Sequence, residues 1–134
     1  MDDFGFDKNL PCSIEKTLCD CGGIKGLVDK MPDKDEVSYL TGLFSAAADP
    51  IRMTILEMLD VHMLCVCIIK QALEIPDSKL SYHLKILQNS ELIEGEAHGT
   101  WIIYKLTKKG EIFMDNLSNL KKTDKGRNIT RTSN

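Results

Sequence analysis

A change of hydrophobic period occurs within residues 76–106, PDSKLSYHLKILQNSELIEGEAHGTWIIYKL. In the first half the apolar residues recur every three or four positions, at Leu80, Leu84 and Leu87, which is typical of an amphipathic helix. In the second half apolar and polar residues alternate on both sides of His98-Gly99, which predicts a β-hairpin over 92–106 with its turn at this dipeptide. The segment is therefore expected to fold as a helix followed by a hairpin.

Two helices with clear start signals are expected upstream of this segment. Asp33, followed by Glu36 three residues later, resembles a capping box, and apolar residues continue from there at helical spacing to Ala47. Asp49 is a good N-cap for the second helix, and Pro50 suits its first position because the missing N–H has no partner there in any case. The second helix is expected to end near residues 60–63.

A short third helix is expected over 66–73, where apolar residues cluster before Pro76 breaks the chain. After the hairpin, Thr107 is expected to cap a last helix over about 108–120. The order is four helices, a hairpin and a helix. Two short helices joined by a tight turn, with a hairpin behind them, describe a mainly α winged helix-turn-helix.

The chain has the size and composition of one soluble domain, with 134 residues of which 43% are hydrophobic and 28% are charged. No apolar run approaches the roughly 20 residues that a membrane span needs. The acidic N-terminus also lacks the basic and then apolar pattern of a secretory signal. A cytoplasmic protein without membrane contact is expected.

The formal net charge of −3 is unevenly distributed. Residues 1–37 hold 9 acids and 5 bases, whereas residues 121–134 hold 5 bases and 1 acid. Residues 76–110, with 5 lysines and 4 acids, are nearly balanced. This distribution excludes a uniformly basic nucleic-acid binder, but it allows a locally basic face or tail.

These shifts in composition predict three parts of the chain. Residues 1–32 are expected to form a glycine-containing and cysteine-containing arm, with short helical pieces around 13–17. The winged helix-turn-helix domain is expected over 33–120. Residues 121–134 are expected to form a basic flexible tail.

The fourth helix of the domain is the candidate DNA reader, because the major groove accepts a helix whose early residues reach base edges. Its candidate contact residues are Ser78, Lys79, Ser81, Tyr82, His83 and Lys85. His83 is expected to be structural or close to a phosphate rather than a metal ligand. Arg52 is expected to pair with a nearby carboxylate, and Trp101 and Tyr104 are expected in the core rather than stacked on bases.

Five cysteines are an unusual count for a chain of this size, and an odd number cannot form a complete set of disulfides within one chain. In a reducing cytosol such clusters point to metal or redox chemistry. They fall into two groups, Cys12, Cys19 and Cys21 in the arm, and Cys65 and Cys67 before the third helix.

The side chains of Cys65 and Cys67 would diverge on a regular helix, but they can converge if Cys65 lies at or just before the helix start. Two thiolates do not complete a site, since zinc, cadmium or lead would take about four ligands and arsenite-like ions three. A half-buried pair of core cysteines remains the alternative at these positions. In the arm the alternative is incidental or redox-active thiols, and which arm cysteines would bind stays open.

Two stretches, LFSAAADPIRMTIL (43–56) and LCVCIIKQALEIPDSKLSYHLKILQNSELIEGEAHGTWIIYKLT (64–107), resemble the ArsR/SmtB family of dimeric winged-helix metal-sensing repressors. The likeness covers about residues 37–118. It rests on the Ala-Asp-Pro-x-Arg turn at 48–52, on the Cys-Val-Cys motif at 65–67, and on a Ser-x-His-Leu-x-x-Leu recognition helix at 81–87.

This resemblance implies a homodimer, formed by the first and last helices of the domain, that binds operator DNA and represses transcription. It implies release from DNA when a thiophilic ion, cadmium, lead, zinc or arsenite, binds the cysteine thiolates. Cadmium- and lead-responsive relatives combine arm cysteines with the Cys-Val-Cys pair, often across the dimer.

The sequence also departs from the family pattern. Ile68 occupies a position that is often acidic, the hairpin carries Glu94 and Glu96 but no arginine, and the last helix has no histidine. The acidic hairpin implies few phosphate contacts.

Two alternatives to a metal-sensing repressor stay open. A thiol redox sensor of the same fold would use cysteine disulfides and need no metal. A winged-helix protein-interaction module would not bind DNA. An enzyme is not expected, because the sequence has no phosphate-binding glycine loop, nucleophile triad or paired-carboxylate motif.

Overall fold

A computed structural model describes residues 10–124 of the chain. The described residues fall into two compact units that divide between Tyr39 and Leu40. The predicted arm and tail boundaries stay predictions, and residues 1–9 and 125–134 lie outside the described part. The elements, in order, are α1 (Cys12–Cys21), α2 (Gly23–Asp29), α3 (Lys34–Ala47), α4 (Pro50–Val61), β1 (Leu64–Cys65), α5 (Val66–Leu73), α6 (Asp77–Asn89), β2 (Ile93–His98), β3 (Trp101–Leu106) and α7 (Lys108–Lys122).

The arm is more helical than its sequence pattern indicates. The helical piece expected around 13–17 lies within the longer helix α1, and α2 was not predicted. Gly22 ends α1 with a positive φ of 89°, a conformation that glycine adopts without steric cost. A Cβ added at Gly26 would overlap the Cys21 carbonyl oxygen, so glycine is needed where the two helices approach each other.

The predicted helix starts are confirmed, because the capping side chains make the expected hydrogen bonds. The Asp33 carboxylate accepts from the Glu36 N–H at 2.8 Å, just before α3. The Asp49 carboxylate accepts from the N–H groups of Ile51 at 2.9 Å and Arg52 at 3.1 Å, which satisfies two donors at the start of α4.

The three strands form one antiparallel sheet in the order β1-β3-β2. His98 pairs with Trp101, so the turn consists of Gly99 and Thr100 and lies one residue later than predicted. Gly99 has a φ of 65°, which suits a glycine at the first position of a two-residue hairpin turn. The two-residue strand β1 was not predicted, because two residues are too few to show a period.

One apolar core joins α3, α4, α5, α6, the hairpin and α7. The leucines at positions 80, 84 and 87 are buried as predicted, and so is Tyr104. Trp101 is 58% exposed, so the expectation that it lies in the core was wrong. Its place beside the hairpin turn leaves no element to cover it within the described chain. Across residues 10–124, no helix combines the length and apolar character that crossing a membrane would require.

Candidate functional site

The outer face of α6 is polar and open. Leu80, Leu84 and Leu87 hold the opposite face in the core. Five of the six predicted contact residues are exposed, namely Ser78, Lys79, Ser81, Tyr82 and Lys85. The Tyr82 side chain is 62% exposed, so its ring is available to a partner. Near the start of α6, Lys70 pairs with Asp77 at 2.7 Å and leaves Lys79 and Lys85 as the cations of this face.

His83 does not share that face, so its assignment to the DNA contacts was wrong. It is only 5% exposed, and its Nδ1 atom lies 3.0 Å from Nη1 of Arg52. A side chain buried under the helix cannot reach a base edge or a phosphate. The expectation that His83 is structural rather than a metal ligand agrees with this position.

Arg52 holds several groups together at the start of α4. Its Nε–H donates to the carbonyl oxygen of Ala46, and Nη2 lies 3.5 Å from the carbonyl oxygen of Ser45. The carboxylate of Asp49 accepts from the backbone N–H of Arg52 at 3.1 Å, and the charge of Arg52 lowers the pKa of this carboxyl.

The same cluster perturbs Asp49. The hydrogen bond from the Arg52 N–H lowers the pKa of the Asp49 carboxyl the most. The Ile51 N–H and the charge of Arg52 lower this pKa further, while burial opposes them. Asp49 is therefore held in its charged form, which is the form that caps α4.

The hairpin β2–β3, here called the wing, is electrostatically unlike α6. Its one lysine, Lys105, lies 3.9 Å from the carboxylates of both Glu94 and Glu96. His98 lies 3.7 Å from Glu96. The carboxylates thus surround the cation that would otherwise contact a phosphate.

Cys65 and Cys67 come together as the sequence analysis expected. Cys65 is the N-cap of α5 and Cys67 lies in the first turn, so the two sulfurs converge and are joined as a disulfide. Cys65 is half-buried and Cys67 is exposed.

The arm cysteines all lie on α1, in the other unit. Cys12 and Cys19 are seven residues apart, which places them on one side of the helix, and Cys21 is partly buried at its end. Within each unit, counting residues 10–124, no three His, Cys, Asp or Glu side chains gather into a metal site. A ligand set that joins the arm to Cys65 and Cys67 therefore stays a prediction.

The strand β1, which sequence reasoning missed, links the cysteine pair to the wing. Cys65 lies opposite Ile103 on β3, and Ile103 lies opposite Glu96 on β2. Directly opposed residues of antiparallel strands share a face, so Cys65, Ile103 and Glu96 form one row across the sheet. The only signal in the sequence is the position of Leu64-Cys65 between two helices.

Apolar side chains are also exposed on the two helices that the sequence analysis assigned to a dimer interface. Leu40 and Phe44 of α3 are 46% and 58% exposed, and Ile112 and Leu120 of α7 are 52% and 63% exposed. The rings of Phe44 and Phe113 lie 5.5 Å apart, which joins the two helices. Exposed apolar residues on paired helices are typical of an interface.

Comparison with known proteins identifies the family. Residues 49–94 match the family described as bacterial regulatory protein, arsR family. An uncharacterized HTH-type transcriptional regulator from Methanocaldococcus jannaschii is 36% identical over 63 residues, which cover 46% of this chain and 71% of that protein. The chain belongs to the ArsR family. The predicted ArsR resemblance is thereby confirmed, and the family consists of regulators rather than enzymes.

This ArsR-family chain is also similar to one curated repressor and to one solved structure. The arsenical resistance operon repressor of Bacillus subtilis is 45% identical over 64 residues, and the matched segment covers 47% of this chain and 61% of that repressor. A homodimeric winged helix-turn-helix DNA-binding domain from Mycobacterium bovis has a TM-score of 0.62 at 18% identity, over 78% of this chain and 98% of that one. The second likeness confirms the winged helix-turn-helix fold.

Proposed function

We propose that this ArsR-family protein is a homodimeric repressor that binds operator DNA and is released when a thiophilic ion binds Cys65 and Cys67. The observation that carries the DNA-binding part is the exposed polar face of α6, set opposite three buried leucines. A helix held in this way can enter the major groove with its polar side outward.

Ser78, Lys79, Ser81, Tyr82 and Lys85 are the proposed contacts of this reading helix. Lys79 and Lys85 supply positive charge, while Tyr82 supplies an exposed ring with a hydroxyl group. The dimer forms through α3 and α7, whose exposed apolar residues would be covered by a second copy. A two-fold dimer presents two reading helices to two half-sites of an operator.

The effector site is built on Cys65 and Cys67, with further thiolates from Cys12, Cys19 or Cys21. The convergence of the pair at the start of α5 supports this proposal, because it supplies two soft ligands in one place. Three thiolates favour an arsenite-like ion, and four favour cadmium, lead or zinc. Of these, we favour the four-thiolate site. Such a protein acts in the cytoplasm, where thiols are kept reduced.

Release from DNA requires the ion to bind the weakly DNA-binding conformation more tightly than the strong one. The row of Cys65, Ile103 and Glu96 offers a contiguous route from the ion to the wing. The backbone at Cys65 also begins α5, the first helix of the helix-turn-helix.

Operator binding by the full reduced chain, followed by fluorescence anisotropy during titration with cadmium, lead, zinc or arsenite, tests the proposal. We expect one of these ions to lower operator affinity, and we expect the Cys65→Ser/Cys67→Ser double variant to bind DNA normally without responding. An undiminished response in that variant would eliminate this site. Thiolate–metal charge-transfer absorption counts the ligands, and binding should weaken in acid because each thiol must ionise.

A redox sensor is the second candidate, favoured by the disulfide contact between Cys65 and Cys67. In that case an oxidant would accept two electrons as the two thiols lose their protons and form the S–S bond. A loss of operator affinity with oxidant alone, reversed by a dithiol, would support this candidate over the metal sensor. If the reduced chain binds no duplex at all, the protein-interaction module is favoured instead.

A further inference from the structure

The proposed function does not use the buried polar cluster beneath the reading helix. Arg52 on α4, His83 on α6 and the carbonyl groups at the end of α3 meet there. His83 is the one buried polar or charged side chain of the described core, at 5% exposure. The half-buried Arg52 and the buried His83 therefore give three helices one point of directional contact at the edge of the apolar core.

The donor and acceptor roles in this cluster follow from the chemistry of arginine. A guanidinium group stays protonated and has only N–H donors. The Nδ1 atom of His83, 3.0 Å from Nη1 of Arg52, must then accept, so the imidazole is neutral and carries its proton on Nε2. The same guanidinium donates to the Ala46 carbonyl, so it bridges α3 and α6.

We propose that Arg52 and His83 are a positioning pair, which fixes the rotation of the reading helix relative to the last turn of α3. The proposal rests on DNA binding by α6. Leucine packing holds α6 to the core but is non-directional, whereas a hydrogen bond favours one angle. Tyr82, next to His83, is 62% exposed, so the angle of the helix sets where this ring points.

The pair also places the reading helix relative to the proposed dimer face. Phe44, an exposed residue of that face, precedes Ser45 and Ala46, whose carbonyl oxygens face Arg52. Only Ser45 thus separates Phe44, on the proposed dimer face, from Ala46, whose carbonyl oxygen accepts a hydrogen bond from Arg52. The distance between two half-sites depends on this geometry, so Arg52 and His83 should affect operator affinity without touching DNA.

Two substitutions at one position separate positioning from simple packing. His83→Asn keeps an acceptor oxygen one bond from Cγ, where Nδ1 stands, whereas His83→Leu keeps apolar bulk and removes the acceptor. The probe is a duplex selected by the wild-type full chain from a random library. We expect His83→Asn to stay within a few-fold of wild type and His83→Leu to lose about tenfold or more, the size of a lost charge-assisted hydrogen bond.

Thermal unfolding and sedimentation of the same variants keep the test informative. If His83→Leu unfolds or dissociates, the comparison moves to Arg52→Lys, which keeps the positive charge but not the fork that reaches both the ring and a carbonyl. Weaker operator binding by a folded Arg52→Lys dimer supports the pair. Equal affinity for wild type, His83→Leu and Arg52→Lys, all folded, would overturn it.

A measurement without DNA separates this inference from the proposed function. In ¹⁵N-histidine spectra, with His83 assigned by its loss in His83→Asn, we expect a protonated Nε2 and an unprotonated Nδ1. Arg52→Lys should disturb that pattern. A protonated Nδ1 in the wild-type chain would overturn the pair whether or not the protein binds an operator. If Nε2 is protonated and Nδ1 is not, but the chain binds no duplex, the contact between Arg52 and His83 is supported and the proposed DNA binding is rejected.

Discussion

The reading helix α6 and the wing lie next to each other in the chain, yet their charges are arranged in opposite ways. On α6 the acid Asp77 pairs with Lys70 on the preceding helix, and Lys79 and Lys85 stay exposed. On the wing, Lys105 is itself placed between two carboxylates. A winged helix can thus read DNA with its helix while the wing adds little attraction to phosphates.

The largest expected effect comes from removing the helix contacts. Lys79→Ala or Tyr82→Ala should weaken operator binding by about 1–3 kcal/mol if a base contact is lost, with the dimer still folded. Anisotropy titration with the selected duplex measures this change. Thr54→Ala, an exposed change on α4, is a matched control expected to leave affinity unaltered. Full affinity in both single variants and their double variant would remove α6 as the reader.

A smaller effect of opposite sign is expected on the wing. Reversing its charge with Glu94→Lys/Glu96→Lys frees Lys105 and should strengthen binding. The slope of log affinity against log salt should steepen by about 0.9 for each additional phosphate that the wing neutralises. Asp35→Lys/Asp60→Lys, at exposed sites outside the wing, changes the net charge by the same amount and is the control. A wing variant that matches this control in slope would mean that the wing lies away from the DNA.

Acid should weaken the N-terminal cap of α4 as the Asp49 carboxylate takes up a proton. The pKa of Asp49 is lowered by the Arg52 N–H first of all, so its contribution to stability is complete above the ordinary value of 3.8. That contribution is lost as the pH falls below 3.8 and through the lowered folded value.

Urea unfolding as a function of pH measures this loss. Asp49→Ala should unfold at lower urea than wild type at neutral pH, with the difference narrowing in strong acid. Asp49→Asn keeps a capping oxygen and should lie between the two. A constant difference between wild type and Asp49→Ala at every pH would show that the charge of Asp49 contributes nothing.

The smallest expected effect is spectroscopic. Trp101 is the single tryptophan and is 58% exposed near the wing tip. Its fluorescence should be quenched readily by iodide in the free protein. It should stay accessible in the operator complex if the wing makes little contact with DNA. Strong protection of Trp101 from iodide by the duplex would mean that the wing contacts DNA, contrary to the proposed difference between the wing and α6.

Local sequence signals predicted the helices of the domain well, because their determinants are local. Asp49 and Thr107 cap α4 and α7 through contacts two or three residues away. The leucine spacing on α6 predicted which side would be buried, since a helical period fixes a face without reference to any partner. The position of Cys65 just before α5 followed from the same reasoning about helix starts.

The features that the sequence did not determine depend on residues far apart in the chain. His83 lies inward because Arg52, 31 residues earlier, offers it a donor within the core. Strand β1 exists because β3, nearly 40 residues later, supplies the hydrogen-bonding edge for Leu64 and Cys65. The sequence analysis included His83 among the candidate DNA contacts and predicted no strand at Leu64-Cys65. Only tertiary structure supplies their partners, because a buried polar group or a two-residue strand is stable only when another segment completes its hydrogen bonds.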